Sequence, residues 1–189
     1  MTVASDIAQL QQRFAQAVLG VVEFRGEHSV TVKLESLRDV LAACHKDLGY
    51  ELLLDISSLD HFGRDPRFEM VYEIASLDDA KHLRVKAAVS EEEKVPSATG
   101  IWGGAAWHER EVWDMMGISF EGHPDLRRIL MWEGYPYHPL RKDFPLAGRP
   151  SEMPDVAFTK TAPLEGGPFV TCAGGEDTVR REPRARVVE

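Results

Sequence analysis

Cysteine is scarce in this sequence: there are two in 189 residues, Cys44 and Cys172, and neither belongs to a CxxC. An iron–sulfur cluster or a zinc knuckle needs several such ligands at short spacing, so neither is expected on this chain. Cys44 lies among helix-forming residues and reads as a small apolar residue of a core. Glycine-rich fingerprints are missing as well. No GxGxxG follows an apolar run and no GxxxxGK(S/T) occurs, so no cradle for NAD, FMN or a nucleoside triphosphate is recognisable. No window approaches the ~18–20 apolar residues that span a bilayer. The opening MTVASDIAQLQQRF lacks the basic start and apolar run of a secretory leader. Membrane association is therefore expected only through a partner. A basic excess is lacking too. The chain carries 22 Lys and Arg against 31 Asp and Glu, a net charge of -9, the wrong sign for a nucleic-acid binder.

What is present is enough apolar residue, 43%, for a chain of this length to build one self-sufficient core with an appendage. Ile7, Leu10, Phe14 and Val18 recur at helical spacing and predict a first helix over about 6–18, capped by Ser5 and stopped by Gly20. VVEFRGEHSVTVKL (21–34) alternates around Gly26-Glu27 and predicts a β-hairpin. Leu37, Val40, Leu41 and Leu48 return to helical period between a Ser36 cap and a Gly49 stop. Strand-like stretches then follow at 50–60, 66–77 and 82–90, with turns at Asp65-Pro66 and Asp78-Asp79. EEEK (91–94) reads as a solvated turn, and GGAAWHEREVWDMM (103–116) as a third helix ending at Gly117. The order predicts an α+β fold: an antiparallel sheet of four or five strands with two to three helices packed on it.

The expected domains are an α+β body over 1–117, an extended segment over 118–150 and a polar tail over 151–189. The middle segment is rich in proline, arginine and aromatics, and Pro124, Pro136, Pro139, Pro145 and Pro150 exclude a long helix or central strand there. The tail is expected to be disordered when free. Charge follows the same division. Residues 1–100 hold 11 Lys and Arg against 17 Asp and Glu, whereas 121–150 hold 5 against 4. A proline-stiffened basic strip costs little entropy to order, and its arginines offer paired hydrogen bonds to carboxylates. It predicts a docking strip better than an active site.

Two blocks in this region resemble a known family. Glu109-Arg110-Glu111, Asp114, Gly117-Ile118, Phe120-Glu121-Gly122-His123-Pro124 and Leu126-Arg127-Arg128-Ile129-Leu130 form the first. His138-Pro139-Leu140-Arg141-Lys142-Asp143-Phe144-Pro145 forms the second. Both are similar, in letters and spacing, to the signature of the 30 kDa subunit of proton-pumping NADH:quinone oxidoreductase, respiratory complex I. The likeness is dense from about Trp102 to Pro145 and weaker in letters before that.

The resemblance implies a non-redox accessory subunit of the peripheral arm, next to the 49 kDa-like subunit. It implies no cofactor on this chain, with FMN and iron–sulfur clusters in other subunits and NAD and quinone bound elsewhere in the complex. It implies a place on the cytoplasmic side of a bacterial inner membrane, held there through the complex. The residues carried over as signature and docking positions are Glu109, Arg110, Glu111, Asp114, Gly117, His123, Pro124, Arg127, Arg128, His138, Pro139, Arg141, Lys142 and Asp143.

Rival readings exist. The chain could be the equivalent subunit of a membrane-bound hydrogenase or a related quinone-linked dehydrogenase. A different class would be a stand-alone metal-dependent enzyme using Glu109, Glu111, His108 and His123. No HExxH or CxxC accompanies these residues, and an ion-pair network between the acidic groups and Arg110, Arg127 and Arg128 is the favoured reading. The four tryptophans, Trp102, Trp107, Trp113 and Trp132, read as core and interface anchors rather than a stacking site for a quinone.

Overall fold

The computed structural model describes residues 2–146. The chain divides into two compact units, the first ending at Gly134 and the second beginning at Tyr135. The first opens with helix α1 (Val3–Arg13), capped by Thr2, whose Oγ1 accepts from the Ser5 amide at 3.3 Å. The helix thus starts earlier than its apolar period suggests and ends earlier too. Val18 already belongs to a strand, because β-branched residues flanking Gly20 pair across rather than wind.

Strands β1 (Val18–Phe24) and β2 (Glu27–Val32) form the expected hairpin. Arg25 and Gly26 both take positive φ, 53° and 83°, as a two-residue turn between right-twisted strands requires. A 3₁₀ turn over Leu34–Ser36 leads into α2 (Leu37–Asp47). The Ser36 side chain makes no cap bond, because that turn already supplies the helix entry. Gly49, at φ 71°, follows the helix end. Then come β3 (Leu52–Asp60), β4 (Phe68–Ser76), β5 (Lys81–Val89), the short β6 (Lys94–Pro96), α3 (Ala105–Met116) and the short β7 (Ser119–Glu121).

The α+β class stands, and one detail of the sheet is corrected. The five-stranded sheet runs β1-β2-β5-β4-β3 and is mixed, with β2 and β5 parallel, where antiparallel pairing throughout was expected. Local alternation identifies strands but says nothing about their neighbours. Here α2 and the β3-β4-β5 meander intervene, so β5 arrives beside β2 in the same direction. Lys94 begins β6 rather than closing a turn, and β6 pairs in parallel with β7, a three-residue strand at the start of the segment expected to be extended.

The core lies on one side of this sheet. Phe68, Met70, Tyr72 and Ile74 of β4 and Leu83, Val85, Ala87 and Val89 of β5 alternate into a cluster with residues of all three helices. Among them are Ile7 and Leu10 of α1, Val40, Leu41 and Cys44 of α2, and Val112 and Met116 of α3. Intervening residues form cross-strand ion pairs on the opposite face, Arg84 with Glu73 and Lys86 with Glu69. A sheet with one dry and one charged face is what the strict alternation of β5 dictates.

Candidate functional site

Helix α3 organises the signature residues of the first unit. Its C-terminus is closed by Gly117, left-handed at φ 76°, whose amide donates to the Trp113 carbonyl at 2.9 Å. The conformation turns the chain back, so that residues 123–131 return to α3. Ala105, Glu109, Val112 and Met116 are buried at helical spacing.

Glu109 is therefore in the interior. Its carboxylate accepts from the Ser97 hydroxyl at 2.7 Å and the Ala98 amide at 2.6 Å, next to β6. Burial raises its pKa above the usual carboxylate value, and these two donors and His123 only partly offset that. Asp114, also buried, has the opposite balance. Burial alone would raise its pKa, but the amides of Met131, Ile129 and Leu130 and the Arg128 guanidinium outweigh it and hold the carboxyl low.

The geometry behind that is specific. Oδ2 of Asp114 accepts from three consecutive amides, Ile129 at 3.0 Å, Leu130 at 2.8 Å and Met131 at 2.8 Å. Arg128 Nη1 donates to Oδ1 and also to the Asp114 carbonyl at 3.2 Å. One turn earlier, Arg110 donates from Nε to the Arg127 carbonyl at 3.1 Å and from Nη2 to the Arg128 carbonyl at 3.0 Å. Its guanidinium also lies over the Trp107 ring, 5.1 Å from the centroid. His123 anchors the start of the returning chain. Its Nδ1 accepts from the Asp125 amide at 3.0 Å, which leaves Nε2 to donate to the Ala106 carbonyl at 3.1 Å.

Arg110, Asp114, His123 and Arg128 are thus brought together by bonds to backbone and to one another. Glu111 and Pro124 are exposed, and so is Arg127, which pairs with Asp125 at 2.9 Å. Gly117 serves the helix end. The four residues of the metal-enzyme reading do not converge on one point, although His123 is near enough to Glu109 to act on its charge. His108 meets Asp55 of β3 at 3.1 Å, Glu109 faces β6, Glu111 faces solvent and His123 bonds backbone. Among the described residues no group of three or more His, Cys, Asp or Glu could hold a metal ion.

The second signature block belongs to the second unit. The Arg141 amide donates to the His138 carbonyl at 3.2 Å and the Phe144 amide to the Arg141 carbonyl at 3.0 Å, which coils His138, Pro139 and Arg141 into tight turns. The Tyr137 and Phe144 rings lie 6.0 Å apart. Lys142 and Asp143 are exposed.

Sequence reasoning did not find Ser97, Ala98 and Asp55 as partners of α3, and it did not say which tryptophans are core and which are surface anchors; Trp107 is 62% exposed. Those partners come from segments distant in sequence, and no periodicity in the helix announces them.

Residues 30–150 match the family model described as respiratory-chain NADH dehydrogenase, 30 kDa subunit. The chain is 46% identical over 143 residues to the C subunit of NADH-quinone oxidoreductase from Citrifermentans bemidjiense, covering 75% of this chain and 89% of that one. It is 43% identical over 159 residues to the same-named protein of a Roseiflexus species, covering 82% and 88%. Among solved structures, a chain of a membrane-bound sulfane sulfur reductase, an archaeal respiratory membrane complex, shares the fold. The TM-score is 0.65 at 23% identity, over 76% of this chain and 85% of that one.

Proposed function

This chain belongs to the family of the 30 kDa subunit of respiratory-chain NADH dehydrogenase, and from that premise we propose that its own work is to hold the enzyme together. It is an accessory subunit of NADH:quinone oxidoreductase, which passes electrons from NADH through flavin and iron–sulfur clusters to quinone and couples this to proton translocation. In this reading FMN and the clusters belong to other subunits, as do the NAD and quinone sites. The chain contributes a rigid α+β body and a returning strip that docks on its neighbours, chiefly a 49 kDa-like subunit. It sits at the cytoplasmic face of the inner membrane through those contacts, and no helix among the described residues is long and apolar enough to cross a membrane.

The observation that carries the docking role is the fate of the conspicuous polar groups of α3. They bind the chain's own backbone at 127–131 rather than converging on an open cavity where a substrate atom could sit. The likeness to the sulfane sulfur reductase chain supports the fold, whereas the relatives at above 40% identity carry the NADH-quinone oxidoreductase name.

Arg127, 71% exposed at its side chain, tests the docking role cleanly because its side chain pairs with Asp125, itself exposed. Arg127→Glu should leave the chain folded, since an exposed pair contributes about 0–1 kcal/mol. It should still lower the amount of assembled complex on a native gel, with NADH:quinone activity falling in proportion. Normal assembly and full activity in Arg127→Glu and in Arg141→Glu together would remove the docking reading.

A further inference from the structure

The polar ends of Arg110 and Asp114 are spent on main chain, and they are spent in a complementary way. Arg110, a donor only, takes the two carbonyls of residues 127 and 128. Asp114, an acceptor only, takes the three amides of residues 129, 130 and 131. Four residues apart on a helix, the two groups stand on one face, one turn above the other. Between them they satisfy one backbone group on each of five successive residues, in a segment that has no regular helix or strand of its own. Charge-assisted bonds of this kind are the strong ones, and a buried carboxylate holding three amides and a guanidinium favours the backbone conformation that brings them together.

Part of that segment is left at the surface. Leu130 is 60% exposed, Arg127 is exposed too, and so is Trp107, whose ring is held against the Arg110 guanidinium. Large apolar groups and arginines held rigid at a surface are the composition of an interface anchor, because their ordering cost is met before the partner arrives.

We propose that Arg110 and Asp114 act as a backbone clamp that fixes residues 127–131 in advance and presents Leu130, Arg127 and Trp107 as a preformed contact face for a neighbouring subunit of the complex. The proposal rests on the docking reading above and deepens it: the strip is ordered before assembly, not by it. The partner face it fits offers a carboxylate for Arg127 beside an apolar recess for Leu130 and Trp107. This suits residues 127–131, which carry two arginines and no acidic side chain, in a chain that is acidic as a whole. Arg110 and Asp114 are positioning residues here. They act through the strip, and the exposed side chains make the contact.

The test uses the full chain for hydrogen exchange and the complex for assembly. In the purified wild-type chain the amides of Ile129, Leu130 and Met131 should exchange at least about tenfold more slowly than unprotected amides. Asp114→Asn keeps the size of the side chain, but its amide nitrogen must face either the three N–H groups or the Arg128 guanidinium, all donors. The variant should lose that protection and assemble poorly. A strip competent one-tenth of the time binds about tenfold more weakly. Leu130→Glu leaves the backbone bonds alone, so it should keep the slow amides and still assemble poorly. Arg110→Gln gives a second, milder loss of protection should Asp114→Asn not fold.

Fast exchange of the three amides in the wild-type chain overturns the clamp. So does an Asp114→Asn or Arg110→Gln chain that has lost protection yet assembles like wild type. In either case, failed assembly of Leu130→Glu and Arg127→Glu leaves the docking reading standing. If those two variants assemble normally, the clamp proposal falls, and the docking reading falls with it when Arg141→Glu assembles normally as well.

Discussion

Glu109 and Asp114 are carboxylates five residues apart on one helix, both fully buried, and the structure drives them in opposite directions. Three amides and a guanidinium favour ionised Asp114, whereas Glu109 has a hydroxyl and one amide to set against desolvation. The Tyr72 hydroxyl, buried without a hydrogen-bond partner among the described residues, feels the Glu109 charge and is itself pushed further up, by burial first and Glu109 second.

The linkage has opposite signs for the two acids. Asp114, with a depressed folded pKa, contributes stability above its unfolded value of about 4, and that contribution disappears as pH falls through the lower folded value. Glu109, with a raised folded pKa, contributes stability below its unfolded value, and that contribution is lost as pH rises through the folded one. Urea unfolding of wild type and Glu109→Gln across pH 4 to 7 separates the second effect. The wild-type chain should lose stability relative to Glu109→Gln as pH rises, against a constant offset of roughly 1 kcal/mol for the hydrogen bond that Gln cannot replace. Parallel curves would mean that Glu109 has an ordinary pKa.

At the scale of elements, the sheet and its helices are joined by one buried polar knot as well as by the apolar cluster. Lys81, at the start of β5, donates to Asp6 of α1 at 2.8 Å and to the Leu48 carbonyl at the end of α2 at 2.8 Å. The Tyr50 hydroxyl donates to the same Asp6 oxygen at 3.1 Å. With side-chain exposures of 4% and 0%, the Lys81–Asp6 pair is shielded from water. Such a pair adds little net stability when made, but breaking one side strands a charge. Lys81→Ala should therefore cost about 3–5 kcal/mol in denaturant unfolding, whereas Asp6→Leu with Lys81→Met should cost clearly less. Equal losses would show that the packing volume of Lys81, not its charge, ties α1 to β5.

Cys44, on α2, takes part only as an apolar residue. Burial, with some help from Asp6, pushes its thiol up to about 12, far from the thiolate a ligand or nucleophile needs. The expectation of core packing for this residue agrees with its place in α2.

At the scale of the whole molecule, an acidic stretch over residues 1–100 is followed by one of near-neutral charge over 121–150, and the docking proposal rests partly on that division. A tagged chain recovered from native membranes in mild detergent should bring with it a 49 kDa-like subunit and the membrane arm. Recovery of the chain alone, under conditions in which NADH:quinone activity survives, would count against its place in the complex. The middle and tail boundaries at 118–150 and 151–189 remain part of the proposal. Residues 147–189, the tail included, lie outside those described, and the compact units divide at Gly134 and Tyr135.

Local chemistry determined much of this protein before any fold was known. The hairpin around Gly26 (though its turn lies one residue earlier than expected), the Gly117 helix end, the three helices and the five long strands all follow from residues within a few positions of one another. The family likewise follows from two short blocks of letters. Tertiary structure decided the rest. Placing β5 parallel to β2, Ser97 and Ala98 against Glu109, and three amides of the returning strip on one oxygen of Asp114 each depends on contacts between segments remote in sequence. Periodicity reports which face of an element is dry, but not what covers it. Charge identity alone did not show that Arg110 and Asp114 would be spent on backbone, while Arg127, one residue from Arg128, stayed exposed.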